Sequence, residues 1–287
     1  MVRIGYFSDT HVCTDNPDSP GAGARMTEDI RSLFTDYDVN SLYFNGDQVA
    51  PNDGFEDNNG NPHSKPAYYN KFWDLVDDSG FGERIIATPG NHECPLQDFI
   101  RSDERARLRY KTEFDGVTLL MMNTSVPAWV TGGFGAAYGW NNGYVSQSDL
   151  EWMDEQLNKA GDNAKMVFFH HHAWLTPGDP VASAPGDTET MHQANLYEVC
   201  RNYQAIHDIL SSYDKVIVPQ GHTFQFTDEG SSNVDGVEYL YKKHYYSVFT
   251  DTVTTYEFID VSPEKCTVTT VDHNTGDENV ILNKNFN

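Results

Sequence analysis

Three consecutive histidines, His170, His171 and His172, end a short apolar run in the stretch FFHHHAW, residues 168–174. The run 166–169 is rich in strand formers, so we predict a buried strand that ends at the histidines. Because side chains alternate along a strand, His171 should face opposite to its two neighbours, and at most one of these two sets should point into any one site. On these residues alone, a metal site, a solvated polar rim and an accident of composition all stay open.

Metal-competent side chains also follow four other predicted strands. They are Asp9 and His11 after RIGYF, Asp47 after SLYF, Asn91 and His92 after RIIAT, and His222 after KVIV. Each of these residues alone would fit an ordinary turn or cap. The same feature at five strand ends favours one shared site, since the carboxyl ends of strands are where α/β sheets build sites.

The elements that must position these residues are apolar strands separated by helix-like segments. Helical spacing predicts helices over residues 26–37, 66–76, 97–114, 146–161 and 197–213. Ser148 is the predicted N-cap of the fourth helix, and Gly161 its stop. In the fifth, we interpret Cys200 and His207 as packing residues.

The pattern changes near the C-terminal end. From about residue 244 to residue 271, alternating strands with short turns predict an antiparallel sheet edge. Neither a repeat nor a low-complexity linker divides the chain, so we predict one α/β domain over residues 1–287. Long loops are predicted over residues 49–65, 127–144 and 173–193.

The motifs together resemble those of the calcineurin-like metallophosphoesterases, in particular the branches similar to purple acid phosphatases and cyclic-nucleotide phosphodiesterases. In the family's order they are Asp9-Thr10-His11, Gly46-Asp47, Gly90-Asn91-His92-Glu93, the histidines at 170–172, and Gly221-His222. The resemblance implies a four-layer α/β/β/α sandwich of two mixed sheets flanked by helices. It also implies a two-metal centre at the carboxyl ends of the strands.

The resemblance further implies a ligand set. Asp9 and His11 would bind the first metal, and Asp47 would bridge both. The second metal would be bound by residues from the later motifs, namely Asn91, His171 and His222. Carboxylate, amide and imidazole ligands suit one or two divalent transition-metal ions such as Mn, Fe, Zn or Co.

The choice of His171 rests on a family pattern in which the ligand is followed by a small residue or His and then often by Pro. His172 and Ala173 would take those two places. His170 is the alternative ligand. If His171 is the ligand, His170 should lie on the opposite strand face, in the core or between the layers, while His172 would orient a ligand or touch substrate.

The resemblance gives the remaining roles in the reaction. A hydroxide that bridges the metals would attack the phosphorus, and His92 would serve as general acid without binding metal. Glu93 or another carboxylate could orient His92. The alternative is a non-catalytic metal-binding or scaffold protein of the same fold.

One motif departs from the family pattern Gly-His-x-His, because Phe224 replaces the last histidine, which normally completes the first metal site. Three explanations stay open: water or a loop residue completes a weaker site, the protein works with one metal, or catalysis has been lost. Cys13 and Cys94 lie in loops of the site and could supply a thiolate, or they could be buried packing residues.

The segment QVAPNDG after Asp47 lacks the Asp-Arg-Gly continuation of the Ser/Thr protein phosphatases in this superfamily, which disfavours phosphoprotein substrates. A small phosphorylated substrate, either a monoester or a diester, is the leading expectation. An aromatic loop could stack on a base or sugar, or could simply pack onto the body of the protein. Its rings are Trp129, Phe134, Tyr138, Trp140 and Tyr144.

Composition limits the partners. With 43 acidic against 19 basic residues, the formal net charge is -24, so nucleic acid and anionic membranes are not expected partners. This charge fits either a salt-loving source, where ions screen the repulsion, or a merely acidic mesophilic protein. The cysteines lack Cys-x-x-Cys spacing, and the chain enters a strand at once without a signal peptide, so we expect free thiols and a cytoplasmic location. Protein partners stay open.

Overall fold

Two six-stranded sheets form the centre of the protein, as seen in a computed structural model that describes residues 1–12, 21–49, 65–93, 96–125, 143–174, 199–222, 230–241, 246–247, 252–253 and 255–286. The strands are β1 Val2–Phe7, β2 Ser41–Asn45, β3 Ile85–Thr88, β4 Tyr110–Phe114, β5 Val117–Met122, β6 Ala164–Phe169, β7 Val216–Pro219, β8 Gly230–Val234, β9 Val237–Tyr241, β10 Tyr246–Ser247, β11 Thr252–Val253, β12 Thr255–Val261, β13 Lys265–Asp272 and β14 Glu278–Asn285. The helices are α1 Gly21–Thr35, α2 Lys65–Asp78, α3 Leu96–Ser102, α4 Gln147–Ala160 and α5 Tyr203–Leu210.

Both large sheets are mixed. The first has the order β14-β13-β12-β1-β2-β3, in which β1, β2 and β3 are parallel and the C-terminal strands are antiparallel. The second has the order β4-β5-β6-β7-β9-β8, in which β5, β6, β7 and β9 are parallel. Parallel neighbours bring their carboxyl ends to one edge of each sheet.

Apolar side chains from both sheets pack into one central layer, which includes Ile4 and Tyr43 from the first sheet and Met166 and Phe168 from the second. The outer face of the first sheet packs with α1 and α2, and the outer face of the second packs with α4 and α5. The predicted four-layer α/β/β/α sandwich is therefore confirmed.

All five strands predicted to precede the metal-competent residues are present, and so is the antiparallel C-terminal edge, where β12 pairs with β1. The helix predicted over 97–114 is wrong beyond Ser102. Asp103 accepts hydrogen bonds from the backbone and side chain of Arg105, which makes a turn, and the following residues form β4. Strands β4, β8, β9 and β14 were not predicted.

The helix predicted over 197–213 is shorter in the structure. It covers Tyr203–Leu210, while Val199 and Cys200 form isolated bridges to His172 and Gly143 instead. Cys200 is fully buried, and His207 is buried with its Nδ1 atom 2.7 Å from the hydroxyl of Tyr239. The interpretation of both as packing residues is confirmed.

Among the helices in the described ranges, none is both long and apolar enough to cross a membrane.

The N-cap of α4 is Ser146, not the predicted Ser148. The Ser146 hydroxyl accepts a hydrogen bond from the backbone of Asp149 at 3.2 Å and donates one to its carboxylate at 2.6 Å. Two serines two positions apart compete for this role, and each lies three residues before an acidic residue, Asp149 or Glu151, so this sequence pattern does not decide between them.

We expect Ser146→Ala to lower the free energy of unfolding by about 1 kcal/mol, because the cap satisfies a free N–H group of the first turn. Ser148→Ala is the matched control and should change it by less than about 0.5 kcal/mol. Urea unfolding of both variants measures the difference. Equal effects would contradict the assignment of the cap.

Candidate metal centre

The predicted site residues meet where the carboxyl ends of β1, β2 and β3 face those of β6 and β7. They are almost completely removed from solvent, with the two most accessible, His92 and His11, only 8% and 5% exposed. The others are exposed by 1% or less, namely Asp9, Asp47, Asn91, His170, His171 and His222. Such burial of charged groups is costly unless they are paired or bind a cation.

The loops after β1 and β2 are fixed to one another by their backbones. The N–H groups of Asp9 and His11 donate to the carbonyl oxygens of Gly46 and Asp47, both at 3.0 Å. Asp9, His11, Asp47 and His222 all have φ between 45° and 60°, in the left-handed region. Residues other than glycine rarely adopt this backbone conformation, and those that do so cluster at functional sites.

Glu93 holds the loops after β2 and β3 together. Its fully buried carboxylate accepts hydrogen bonds from the backbone N–H groups of Asp47 (2.8 Å), Val49 (3.1 Å) and Gly90 (2.6 Å). Glu93 was predicted only as one possible partner of His92. The structure shows that its two carboxylate oxygens position the backbone of the site.

Asn45, the last residue of β2, connects the two sheets behind the site. Its side-chain amide donates to the backbone carbonyl oxygen of Phe169 at 2.8 Å, and its backbone carbonyl oxygen lies 2.8 Å from Nδ1 of His170. A second connection joins the sheets where the backbone N–H of His222 donates to the Asp9 carboxylate at 3.1 Å. The sequence carries no signal for Asn45, which appears only as a polar end to an apolar strand.

Asp47 lies at the centre of the cluster. Its Oδ1 atom accepts the backbone N–H of His92 at 2.9 Å and lies 3.3 Å from Nε2 of His170. Its Oδ2 atom lies 3.5 Å from Nδ1 of His222 and 3.7 Å from Nε2 of His92. Burial by itself would raise the pKa of Asp47, but the imidazoles of His92 and His170 outweigh it, so the pKa lies well below its ordinary value.

The expectation that His170 faces away from the site is wrong. Strand β6 ends at Phe169, so the alternation of side chains does not extend into the histidine run. The ring of His170 lies 4.9 Å from that of His222, and the ring of His171 lies 4.7 Å from it. Both histidines therefore reach the same cluster. The assignment of His171 as a ligand stays a prediction.

His171 is held from behind by Thr124, whose hydroxyl oxygen lies 2.6 Å from the Nδ1 atom. Burial, followed by the neighbouring imidazoles of His222 and His170, keeps the pKa of His171 well below its ordinary value. The ring is therefore neutral at physiological pH, which is the state that binds metals. Thr124 was not predicted as part of the site.

The donor set fits a divalent transition metal. Three overlapping groups each bring their ligand atoms within 4.8 Å of one another: His170, His171 and His222; Asp9, Asp47, His170 and His222; and His11, Asp47 and His92. Two buried atoms in these groups, Oδ2 of Asp47 and Nε2 of His171, have no hydrogen-bond partner among the described residues. A cation would satisfy both, since the carboxylate oxygen has lone pairs and Nε2 of His171 has one when Nδ1 carries the proton and donates it to Thr124.

Several predicted features fall outside the described residues. They are Cys13, Cys94 and Phe224, together with Trp129, Phe134, Tyr138 and Trp140 of the aromatic loop. Tyr144, the last ring of that loop, is partly buried, and its N–H donates to the carbonyl oxygen of Thr124.

Comparison with known proteins agrees with this fold. The family model of calcineurin-like phosphoesterases matches residues 2–226, well over half of the chain. GAP50, the anchor in the inner membrane complex of Plasmodium, is 13% identical with a TM-score of 0.56, covering 100% of this chain and 88% of its own. The structure of PhoD is 8% identical with a TM-score of 0.58, covering 99% of this chain and 72% of its own. None of the curated proteins matches the chain.

We expect Glu93→Ala to lower the free energy of unfolding by about 2–4 kcal/mol, because three buried backbone N–H groups lose their acceptor. Urea unfolding in a chelator measures this loss. Glu93→Gln keeps one acceptor oxygen and should fall between wild type and Glu93→Ala. Equal stability of all three proteins would contradict the role of Glu93 in joining the loops.

The metal-free protein should lose stability with rising pH. Burial by itself lowers the pKa of His170, but the carboxylate of Asp47 outweighs it and raises the pKa to about 9. Because an unfolded histidine titrates near pH ~6.5, this pair stabilises the fold fully below that pH, and the stabilisation is lost as pH rises through the folded value.

Urea unfolding of the metal-free protein between pH 6 and pH 9.5 tests this expectation. In His170→Asn the decline with pH should disappear. Parallel curves for the two proteins would show that His170 and Asp47 do not form this pair.

Proposed function

We propose that this chain, which belongs to the calcineurin-like phosphoesterase family, is a metal-dependent hydrolase of small phosphate monoesters or diesters. The observation that carries the proposal is the environment of Asp47. This buried carboxylate is surrounded by the imidazoles of His92, His170 and His222 and keeps one oxygen without a hydrogen bond from the described residues.

The residues that would hold one or two divalent ions are Asp9, His11, Asp47, Asn91, His171 and His222. Such ions, when bound, neutralise phosphate oxygens and make hydroxide available near neutral pH. The protein fixes the ligands by backbone contacts rather than by flexible side chains alone. The hydrogen bonds from His222 N–H to Asp9 and from His92 N–H to Asp47 leave these carboxylates little freedom to rotate.

His92 is the proposed general acid. It is the most exposed of the site residues, and its ring lies 4.8 Å from that of His11 and 3.7 Å, from Nε2 to carboxylate oxygen, from Asp47. A side chain at the rim can meet the leaving group of a bound ester, and an imidazole can give up a proton near neutral pH. The backbone N–H of His92 donates a hydrogen bond to the Asp47 carboxylate, which fixes the position of His92 relative to the centre of the cluster.

A second candidate function is a non-catalytic metal-binding or scaffold protein. It is favoured by Phe224, a phenyl ring at the position where the family has a metal-binding histidine. GAP50, which shares the fold, is described as an anchor. A protein of this kind would keep metal affinity and lack turnover.

Location and partners remain proposals as well. Cys200 and Cys266 are buried free thiols, which supports the proposed cytoplasmic location. The net charge of -24 supports a small phosphorylated substrate drawn in by bound cations, rather than nucleic acid or a membrane surface.

Metal-stripped protein should release no nitrophenol from mononitrophenyl or bis-nitrophenyl phosphate, and Mn-reconstituted protein should release it. His92→Ala should lower kcat by about 100-fold or more while Mn binding, measured by titration calorimetry, stays within a few-fold of wild type. The reason is that this substitution removes the proton donor and leaves every proposed metal ligand in place.

His207→Ala, which removes a buried histidine outside the site, is the matched control and should keep kcat. Mn binding without turnover of either ester would favour the scaffold function. Equal turnover of wild type and His92→Ala would refute the role of His92.

A further inference from the structure

We propose that His170 is an additional metal ligand of this centre, bound through Nε2 between Asp47 and Asn91. The family resemblance favours His171 at this motif and offers His170 only as its alternative, not as a second ligand beside it. The inference rests on the proposed metal site and deepens it, because it adds a side chain to the six residues proposed to hold the metal.

The first step concerns which nitrogen of His170 is free to coordinate. Its Nδ1 atom lies 2.8 Å from the carbonyl oxygen of Asn45. A carbonyl oxygen only accepts, so Nδ1 must carry the proton and donate it. In the neutral ring the lone pair is therefore on Nε2, the nitrogen that faces the site.

The second step concerns what Nε2 meets. It lies 3.3 Å from Oδ1 of Asp47 and 3.3 Å from Oδ1 of Asn91, two acceptor oxygens. In the metal-free protein a proton on Nε2 satisfies these two acceptors, and a metal cation can take the place of that proton. Two ligands about 2.1 Å from one ion, at an angle somewhat above a right angle, lie roughly 3.3 Å apart, so these separations suit a shared cation.

The third step concerns how the ring is seated. His170 is completely buried against the two glycines of the neighbouring motifs. A Cβ atom on Gly46 would lie 2.3 Å from the His170 ring, and one on Gly90 would lie 2.7 Å from Nε2. The glycines thus leave space for an imidazole, and the contact with Asn45 sets its orientation. An apolar residue could fill the same space but would place no donor between Asp47 and Asn91.

A competing role predicts the opposite sign. If His170 acts only as a cationic partner of Asp47 in the metal-free protein, its positive charge competes with a metal ion for the Asp47 carboxylate. Its removal would then tighten metal binding. If His170 is a ligand, its removal weakens binding.

The test is titration of the metal-stripped, full-length protein with Mn²⁺ by calorimetry. His170→Asn keeps a side-chain nitrogen near the position of Nδ1 and removes Nε2, so the Kd for Mn²⁺ should rise at least about 10-fold. His170→Gln places an amide oxygen near the position of Nε2 and should bind more tightly than His170→Asn. His207→Asn, the buried-histidine control, should bind as wild type does.

An unchanged or lower Kd in His170→Asn, with wild type binding normally, would overturn the role of His170 and leave the proposed function intact. Absence of Mn²⁺ binding to wild type would overturn both. Circular dichroism and urea unfolding of each variant separate loss of a ligand from loss of the fold. Co²⁺ absorption gives an independent readout, since replacement of an imidazole ligand by His170→Asn should shift the visible bands and His207→Asn should not.

Discussion

The burial of two carboxylates, Asp9 and Asp47, governs the structure at the carboxyl ends of the strands. Each is only 1% exposed, so the protein must replace water by donors or by cations. Part of the replacement is visible: backbone N–H groups of His222 and His92 donate to these carboxylates. The rest comes from imidazoles, which can share a proton with a carboxylate or share a metal with it. The same cluster therefore has a stable arrangement without metal and a ligand set for one.

This requirement extends outward into the loops. To direct N–H groups and side chains at one point, Asp9, His11, Asp47 and His222 adopt left-handed backbone conformations. Such conformations persist only when surrounding contacts enforce them. Glu93 provides three of these contacts across two loops, and Asn45 ties the second sheet to the first. The side chains of the cluster are thus supported by residues that bind to the backbone of its loops.

The sequence predicts the strands and the residues that follow them because apolar runs and polar strand ends are local signals. Contacts between distant segments leave no such signal. Glu93 accepts from backbone groups, which every residue carries, so its partners cannot be read from residue types. His170 was misplaced because alternation holds only within a strand, and the chain leaves β6 one residue earlier. The predicted start of α4 and end of α3 were wrong for a related reason. Side-chain hydrogen bonds at Ser146 and Asp103 determine these helix ends, and the local sequence fits more than one position.

The central claim is that the buried cluster around Asp47 is a metal centre. X-ray diffraction from crystals grown with Mn²⁺, with anomalous data collected at the manganese edge, tests it most directly. The predicted result is an anomalous peak in contact with the Asp47 carboxylate and with imidazoles of the cluster. An ordered site with no peak there, and with His170 still in direct contact with Asp47, would contradict it.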